Sequence, residues 1–483
     1  MSEQAGTSDT GSLRERDGLH QVPLGAFERR AVLIGGDIVV VFLVTTMSLR
    51  LGALRSGWEW STEFLLEHAT WYVLLAALWV ALAWANGLYD LRRAPDRWHA
   101  AVLSAKVGAQ VLLVWAIAYF VPPPWTLVRH VVVFFSAGMV VAIPLWRQAY
   151  AAVISRDAFR RHVLLVGAGL AGRTMLDTLR SAAPHDFEVK GFVDDDPVLA
   201  GTEVDGVPVV ADRSDLLQAA RELGVSELVL CITAGAHGDL LGALLEAREQ
   251  GIDVVPMPVL YESITGQVPV EHVGDHWAVA LPLARPAAGG LYPLAQRGVD
   301  IAFGLGGLLV LAVLMVVVGP AIKLTSPGPV FYRQRRVGRG GREFTLLKLR
   351  TMVEDAEPDG PVWAEPDDPR VTAAGRLLRR TRLDELPQAV NVLRGDMSLV
   401  GPRPERPEFV AELADQIPYY RARHAVRPGL TGWATVNQGY ASSTEGALLK
   451  LQRDLYYIKH QSLLLDAYIL LRTLATVVRF GGR

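Results

Sequence analysis

Four apolar runs, near residues 30–49, 69–88, 100–121 and 129–150, constrain this chain more than any other feature. Each is close to the ~20 residues that a helix needs to cross a bilayer core. In lipid the backbone must satisfy its own hydrogen bonds, which selects helices for such runs. With 51% hydrophobic and 20% charged residues, the chain lies on the apolar side of soluble proteins. A four-helix transmembrane domain is expected over 28–152. Positive charge sets its orientation. Arg14, Arg16, Arg29 and Arg30 precede the first run, Arg92, Arg93 and Arg97 separate the second and third, and Arg147, Arg156, Arg160 and Arg161 follow the fourth. The other loops offer only Arg50, Arg55 and Arg129 near the membrane. The N-terminus and the chain beyond residue 150 are therefore expected on the cytoplasmic side. Trp71, Trp84, Tyr89, Trp98, Trp125 and Trp146 fall where interfacial aromatics anchor helices.

Asp37 interrupts the first run. A carboxylate at that depth is costly, so the plain expectation is a buried polar contact with another helix; a role in lipid or sugar passage is the alternative. Residues 1–27 are polar and expected to be a disordered cytoplasmic tail. No cleavable signal peptide is evident, because the first apolar run starts late, near Ala31, and is too long. Cys231 is the only cysteine, which excludes an intrachain disulfide and fits reducing surroundings for the soluble parts. The formal net charge of -2 implies no global field for polyanions, and no nucleic-acid partner is expected. Residues 291–483 nevertheless hold 26 Lys and Arg against 19 Asp and Glu, a local excess suited to phosphates.

Residues 158–285 read as a Rossmann-like parallel-sheet domain. Val163–Val166 is a buried strand, followed by Gly167-Ala168-Gly169-Leu170-Ala171-Gly172 and a helical run. A second strand ends at Asp194. Gly167, Gly169, Gly172 and Asp194 match the dinucleotide fingerprint, in which glycines admit a pyrophosphate to a helix N-terminus and an acid meets a ribose. Close helix–strand packing explains the same glycines without a nucleotide. No Tyr-x-x-x-Lys pair of a dehydrogenase occurs in this segment.

A fifth apolar run, about 298–322, is also long enough to span. Further on, Arg379, Arg380 and Arg382 precede the adjacent carboxylates Asp384 and Glu385, and Arg403 follows. Pro387 suits a first helical turn and Gly395 a C-terminal stop, so the pair should sit at a helix N-terminus, whose partial positive charge favours ionised carboxylates. Carboxylates among guanidiniums suit phosphate chemistry, with or without a divalent metal. An acidic helix cap with solvated basic neighbours is the plainer alternative.

These segments belong to a larger pattern: Ile322–Phe331, Gln334, Arg336, Val337, Gly338, Lys348-Leu349-Arg350-Thr351-Met352, the Asp384-Glu385 segment, Gly401-Pro402-Arg403-Pro404-Glu405 and Arg427–Trp433. In this order they resemble the bacterial sugar transferases that move hexose-1-phosphate from a nucleotide sugar to a polyprenyl phosphate. The N-terminal part resembles the family's long members. The resemblance implies a phosphosugar transferase acting on a UDP-hexose, UDP-glucose or UDP-galactose above all, and on undecaprenyl phosphate in the bacterial cytoplasmic membrane. The reaction releases UMP at the first membrane step of exopolysaccharide, capsule or O-antigen synthesis. Asp384 matches the family's nucleophile, Glu385 its Mg²⁺ ligand and Arg379 a phosphate-gripping arginine. Lys348 and Arg350 match a Lys-x-Arg motif that contacts phosphate or acceptor; Arg403 is aimed by flanking prolines. Arg427 either binds nucleotide or stabilises its turn. Asp368 and Arg370 could join the site, and Arg382 stands where the family commonly has serine.

The resemblance further implies a re-entrant membrane helix within 290–335, entering and leaving on one face, and a small, mainly α catalytic domain over 336–483. The family's mid-helix Ser-Pro is replaced here by Ala312 and Val313, with a proline only at Pro320. About 446–479 reads as amphipathic helices that lie on the membrane or pack on the catalytic core. The chemistry should reside beyond residue 290, and homodimerisation is left open. Two rival functions are an NAD-dependent nucleotide-sugar oxidoreductase or epimerase and a non-catalytic scaffold for polysaccharide assembly.

Overall fold

The computed structural model describes residues 26–89, 97–118, 129–154, 160–184, 186–232, 238–272, 290–354, 356, 368–438 and 443–478. The polar tail to residue 25, Arg92, Arg93, Trp125 and Arg156 lie outside the described residues.

Helices Ala26–Ser56, Ala69–Ala85, Arg97–Ala118 and Arg129–Ile154 form a bundle. Leu33, Val41, Leu49, Trp79, Val107, Phe135, Met139 and Ile143 make its shared core. Small residues let the helices approach: a Cβ at Gly36 would overlap the Trp146 ring, and one at Gly138 would strike Val44. The second helix ends at Ala85, before the expected 88, where the Asn86 side-chain amide donates to the Leu82 carbonyl at 2.7 Å. Its 17 residues extend roughly 26 Å. Among the described residues, four helices are long and apolar enough to cross a membrane: Glu28–Ser56, Trp98–Ala116, His130–Val153 and Tyr292–Thr325. The fifth apolar run thus joins this set, and the second run does not. Asp37 meets Arg147, whose Nη2 donates to its Oδ2 at 2.9 Å, and both side chains are fully buried. Arg147, expected among the flanking cytoplasmic charges, is instead the partner that a buried carboxylate requires.

The second domain is a six-stranded sheet in the order Glu203–Val204, Val207–Ala211, Phe187–Val193, Arg161–Val166, Glu227–Leu230, Asp253–Pro256. Every pairing is parallel except the first. Alternation along Arg161–Val166 feeds two cores: Val163 and Leu165 meet Met175 and Leu176 on one face, while Leu164 and Val166 meet Leu216, Leu240 and Leu244 on the other.

Helix Tyr292–Thr325 runs for 34 residues, roughly 51 Å, without a break at Ala312-Val313. Neither residue removes a backbone donor, and Pro320 is accommodated inside the helix. One side of this helix packs on the last domain along most of its length. Arg297 donates to the carbonyls of Val392 at 2.7 Å and Leu393 at 2.6 Å. Asp300 Oδ1 accepts from Ser398 Oγ at 2.9 Å and from Leu399 N at 2.8 Å. Gly304 and Gly307 leave room for Leu393 and Ala389, and Leu311 and Ile322 join Leu349 and Leu378. The opposite side exposes Phe303, Leu309, Val313 and Val317.

The last domain combines an antiparallel hairpin, Phe331–Val337 with Glu343–Leu349, and a small parallel pair, Ser398–Val400 with Gly429–Thr431. Helix Thr444–Lys459 inserts Leu451, Leu455, Tyr457 and Ile458 into the core, so it packs on the domain. Helix Leu463–Val478 keeps Leu463, Leu464 and Leu474 exposed and sets Tyr468 against Trp84 of the bundle, ring centroids 5.4 Å apart. Val268 and Val270, expected in the Rossmann-like domain, are buried in this last core, and Val268 N donates to the Gln452 carbonyl at 3.0 Å. The last core therefore takes in Val268 and Val270, while residue 285 lies outside the described residues. Glu262 pairs with Lys459 at 2.9 Å, and Trp433 Nε1 donates to the Gly266 carbonyl at 2.8 Å, locking the two soluble domains together.

Candidate active site

Three short pieces of backbone converge on Asp384 and Glu385. Strand Glu343–Leu349 delivers Lys348. Helix Ala373–Thr381 delivers Arg379; it begins at Thr372, whose hydroxyl accepts from Gly375 N at 3.0 Å. Gly375 is required there, since a Cβ would overlap the Thr351 carbonyl. Arg382 then turns the chain in the left-handed region, at φ 60°, unusual for a residue with a Cβ. Strained residues of this kind persist where the surroundings over-determine them. Leu383–Gln388 follows as a 3₁₀ turn containing Pro387, continues as helix Ala389–Arg394, and stops at Gly395 with φ 87°. The expected helix start, proline and stop are all present, with the carboxylates on a tightened first turn.

Both carboxylates are buried, and their electrostatics differ. Glu385 Oε1 accepts from Arg403 Nη2 at 2.7 Å and from Lys348 Nζ at 3.2 Å, with Arg382 Nη1 at 3.8 Å. Burial pushes this carboxyl up, yet Arg403 and Lys348 outweigh burial and hold it well below the usual range. Lys348 is itself lowered by burial, against the attraction of Glu385. Asp384 has no such clamp, and its Oδ1 is buried without a hydrogen-bond partner. Burial pushes Asp384 up; Lys348, Arg379 and Arg382 pull it down, and Glu385 adds to the rise. The helix-terminus expectation favours both anions; Glu385 is held below the ordinary carboxylate range, while burial leaves Asp384 above it. An unsatisfied buried oxygen costs ~1–3 kcal/mol.

Arg403 is held in place from behind. Arg423 Nη2 donates to the Arg403 carbonyl at 3.0 Å and to Asp454 at 2.6 Å, and Arg336 Nη1 donates to the Pro404 carbonyl at 3.0 Å. Glu405 is buried between Lys450, Arg423 and Arg336. Burial raises its carboxyl, but these cations bring it to about 2. Arg423, Lys450 and Asp454 were not singled out from sequence. The signal available was a charge, Asp454, in the apolar spacing of Leu451, Leu455 and Ile458.

Of the expected phosphate ligands, Lys348, Arg379 and Arg403 surround the carboxylate pair, and Arg379 Nε donates to Thr351 Oγ1 at 3.0 Å. Arg350 points elsewhere, donating to the carbonyls of Ser326 at 2.7 Å and Pro327. It therefore closes the turn after the long helix. Arg427 lies within electrostatic reach of Asp300. Asp368 accepts three hydrogen bonds from Arg370, from its backbone N at 3.0 Å, from Nε at 2.8 Å and from Nη2, which bring the carboxyl down to about 2. Gly167, Gly169, Gly172 and Asp194 lie in the other soluble domain. A Cβ at Gly172 would overlap the Gly167 carbonyl, so this glycine serves helix–strand packing. Asp194 accepts from Ala168 N at 2.6 Å and Asp196 N at 2.9 Å, so its carboxylate braces the glycine loop itself.

Among the described residues no cluster of three or more Asp, Glu, His or Cys is arranged for a metal. The adjacent carboxylates do fit Mg²⁺, which is commonly held by one or two carboxylates together with substrate phosphates. All three ion pairs of Glu385 fall on Oε1, and Asp384 Oδ1 is unpartnered.

Comparison with known proteins places this geometry. The family described as bacterial sugar transferase matches residues 291–480, and a CoA-binding domain family matches 84–258. A UDP-N-acetylgalactosamine-undecaprenyl-phosphate N-acetylgalactosaminephosphotransferase of Aeromonas hydrophila is 42% identical over 233 residues, 48% of this chain and 54% of that protein. A UDP-glucose:undecaprenyl-phosphate glucose-1-phosphate transferase of Klebsiella pneumoniae is 32% identical over 340 residues, 70% of this chain and 72% of its own length. A protein of the same description from Caulobacter vibrioides is 45% identical over 202 residues, 41% of this chain and 73% of that one. The match to the Aeromonas protein thus spans only a little over half of that relative.

Proposed function

This chain belongs to the bacterial sugar transferase family, and from that premise we propose that it is a membrane enzyme that transfers a hexose-1-phosphate from a UDP-sugar to undecaprenyl phosphate. The observation that carries the proposal is Asp384 Oδ1, buried and unpartnered, beside a carboxylate already neutralised by Arg403 and Lys348. Asp384 attacks the sugar-bearing phosphorus; the phosphorus–oxygen bond to UMP breaks, and UMP leaves with that electron pair. An oxygen of undecaprenyl phosphate then attacks the same phosphorus, and the aspartyl oxygen departs as carboxylate. The product is undecaprenyl-diphosphate-sugar. Lys348, Arg379 and Arg382 face the charge that develops at this phosphorus, preorganised in a site from which water is largely excluded. Glu385, with Asp384 beside it, would hold Mg²⁺, which when bound neutralises the diphosphate. A pair of carboxylates on one rigid turn lets one be pinned as an anion while the other stays free to react.

Both soluble domains are assigned to the cytoplasmic face of the inner membrane; helix Tyr292–Thr325 has no break at which to turn back, so this assignment has it dip obliquely from that face without crossing. Packing of the catalytic domain along that helix supports this assignment, because a domain at the far end of a simple span would touch only its terminus. Purified protein offered UDP-glucose, UDP-galactose and UDP-N-acetylgalactosamine with undecaprenyl phosphate and Mg²⁺ should release UMP with one donor and lose that activity in chelator. No UMP from any donor, with lipid acceptor present and the protein folded, rejects the reaction.

A further inference from the structure

The long helix and the hairpin after it carry a charge pattern that the transfer chemistry does not use. Between Asp300 and Glu343 there is no acidic residue, while Lys323, Arg333, Arg335, Arg336, Arg339 and Arg342 all fall within the last twenty positions of that interval. Gln334, Arg336, Val337 and Gly338 belong to the pattern tied to the catalytic domain, and Arg336 is engaged with Pro404 and Gln334. Of the other basic residues in that interval, Arg333, Arg335, Arg339 and Arg342 make no contact with the site; Lys348, later in the hairpin, does. Arg335 pairs with Glu343 across the two strands, and the register places Arg335 opposite Thr345. Arg333, Arg339 and Arg342 are exposed and make no ion pair or side-chain hydrogen bond among the described residues.

Geometry says what this face meets. Strand alternation turns Phe331, Arg333 and Arg335 to one side, away from Tyr332, Gln334 and Arg336, which share a side with Lys348 through the register. The exposed side of the helix, through Val313, Val316, Val317 and Leu324, leads into Phe331 at the hairpin root. Only Ser326–Val330 separates helix from strand, so the root lies within about 20 Å of the helix end. The exposed apolar side of the helix therefore runs into Phe331 and then Arg333 on the same strand face, with Arg339 and Arg342 exposed at the hairpin turn beyond. That order, apolar to aromatic to basic, is the order of a bilayer from acyl chain to headgroup. Basic clusters next to a membrane segment are attracted to anionic lipid.

We propose that the outer face of hairpin Phe331–Leu349, with the C-terminal end of helix Tyr292–Thr325, docks on anionic phospholipid headgroups, through Arg333, Arg339 and Arg342. The docked hairpin fixes the height of Lys348, on its opposite face, relative to the membrane. This inference does not depend on the transfer reaction, since the face and its ligand are outside the active site.

The test uses full-length protein in mixed micelles containing equal phosphatidylglycerol and phosphatidylcholine, with retained lipid counted by native mass spectrometry. Wild-type protein should retain phosphatidylglycerol over phosphatidylcholine by at least about fivefold, and ~0.5 M salt should erase most of that preference. A triple Arg333→Gln, Arg339→Gln, Arg342→Gln variant should melt like wild type and lose the preference, whereas the triple lysine replacement should keep it. Undecaprenyl phosphate added at the same mole fraction should leave the retained phosphatidylglycerol unchanged. Equal preference in wild-type and glutamine proteins overturns the proposal, as does displacement by undecaprenyl phosphate, which would assign the face to the acceptor.

Discussion

The membrane bundle and the catalytic domain each bury an aspartate among arginines, and they do it in opposite ways. In the bundle, Asp37 and Arg147 form a one-to-one pair, and Asp37 Oδ1, like Asp384 Oδ1, is buried without a hydrogen-bond partner, so the contrast lies in the countercharge and not in the bare oxygen. In the catalytic domain three cations crowd Glu385, while Asp384 beside it keeps an oxygen with no partner. The balanced arrangement lowers the energy of one helix packing. The unbalanced arrangement spends its cations on Glu385 and leaves Asp384 the freer carboxylate, the one the proposed reaction uses. Burial alone therefore does not mark a catalytic carboxylate; the distribution of countercharge around it does.

Four measurements can break or sharpen this contrast. The largest effect is expected from Asp384→Asn, which keeps shape and removes the attacking anion. UMP release should fall by roughly a thousandfold or more, with the melting temperature unchanged or higher, because the amide no longer has to bury a charge. Retained turnover in this variant would make Asp384 a structural residue like Asp37. Next comes the bundle itself. Asp37→Leu strands Arg147 in an apolar core and should cost about 3–5 kcal/mol in thermal unfolding, whereas Asp37→Leu combined with Arg147→Leu should recover most of the loss. A double variant as unstable as the single one would show that the pair does more than cancel charge.

Arg403→Gln is expected to act more gently, because Lys348 still faces Glu385. Removing one charge-assisted bond should slow turnover by about tenfold to a hundredfold and raise the Mg²⁺ needed for half activity. The smallest effect is a shift in the acid limb of the pH–rate profile. Asp384 is raised above the ordinary aspartate value, so activity should fail on acidification before a free aspartate would protonate. Glu385, held low, stays ionised through that window. Removing the Lys348 charge with Lys348→Met lifts Asp384 further, so the residual activity should show its acid limb at higher pH. A limb that moves to lower pH contradicts the assignment. The stability signs are opposite for the two groups. The raised Asp384 favours the folded state increasingly as pH falls through its folded pKa, while Glu385 stabilises above its unfolded value and loses that contribution as pH falls toward its depressed one.

Much of this was legible in the residues. The apolar runs announced helices because lipid leaves the backbone no other partner. Pro387 and Gly395 announced a short helix because one lacks a donor and the other tolerates positive φ. The strand–glycine–helix order around Gly167 announced a parallel sheet. Local patterns of this kind act within a few residues, and a chain carries them in plain order. What could not be read was the pairing of distant charges. Arg147 looked like a flanking cytoplasmic charge and is the buried partner of Asp37; Arg350 looked like a phosphate ligand and closes a turn at Ser326 and Pro327. Asp194 looked poised for a ribose and braces its own loop through Ala168. Residue type and spacing determined the elements, and proposed Asp384 and Glu385 as a pair. Only the tertiary structure decided that Arg403 and Lys348 spend their charge on Glu385, because electrostatic energy depends on distances that sequence separation does not set.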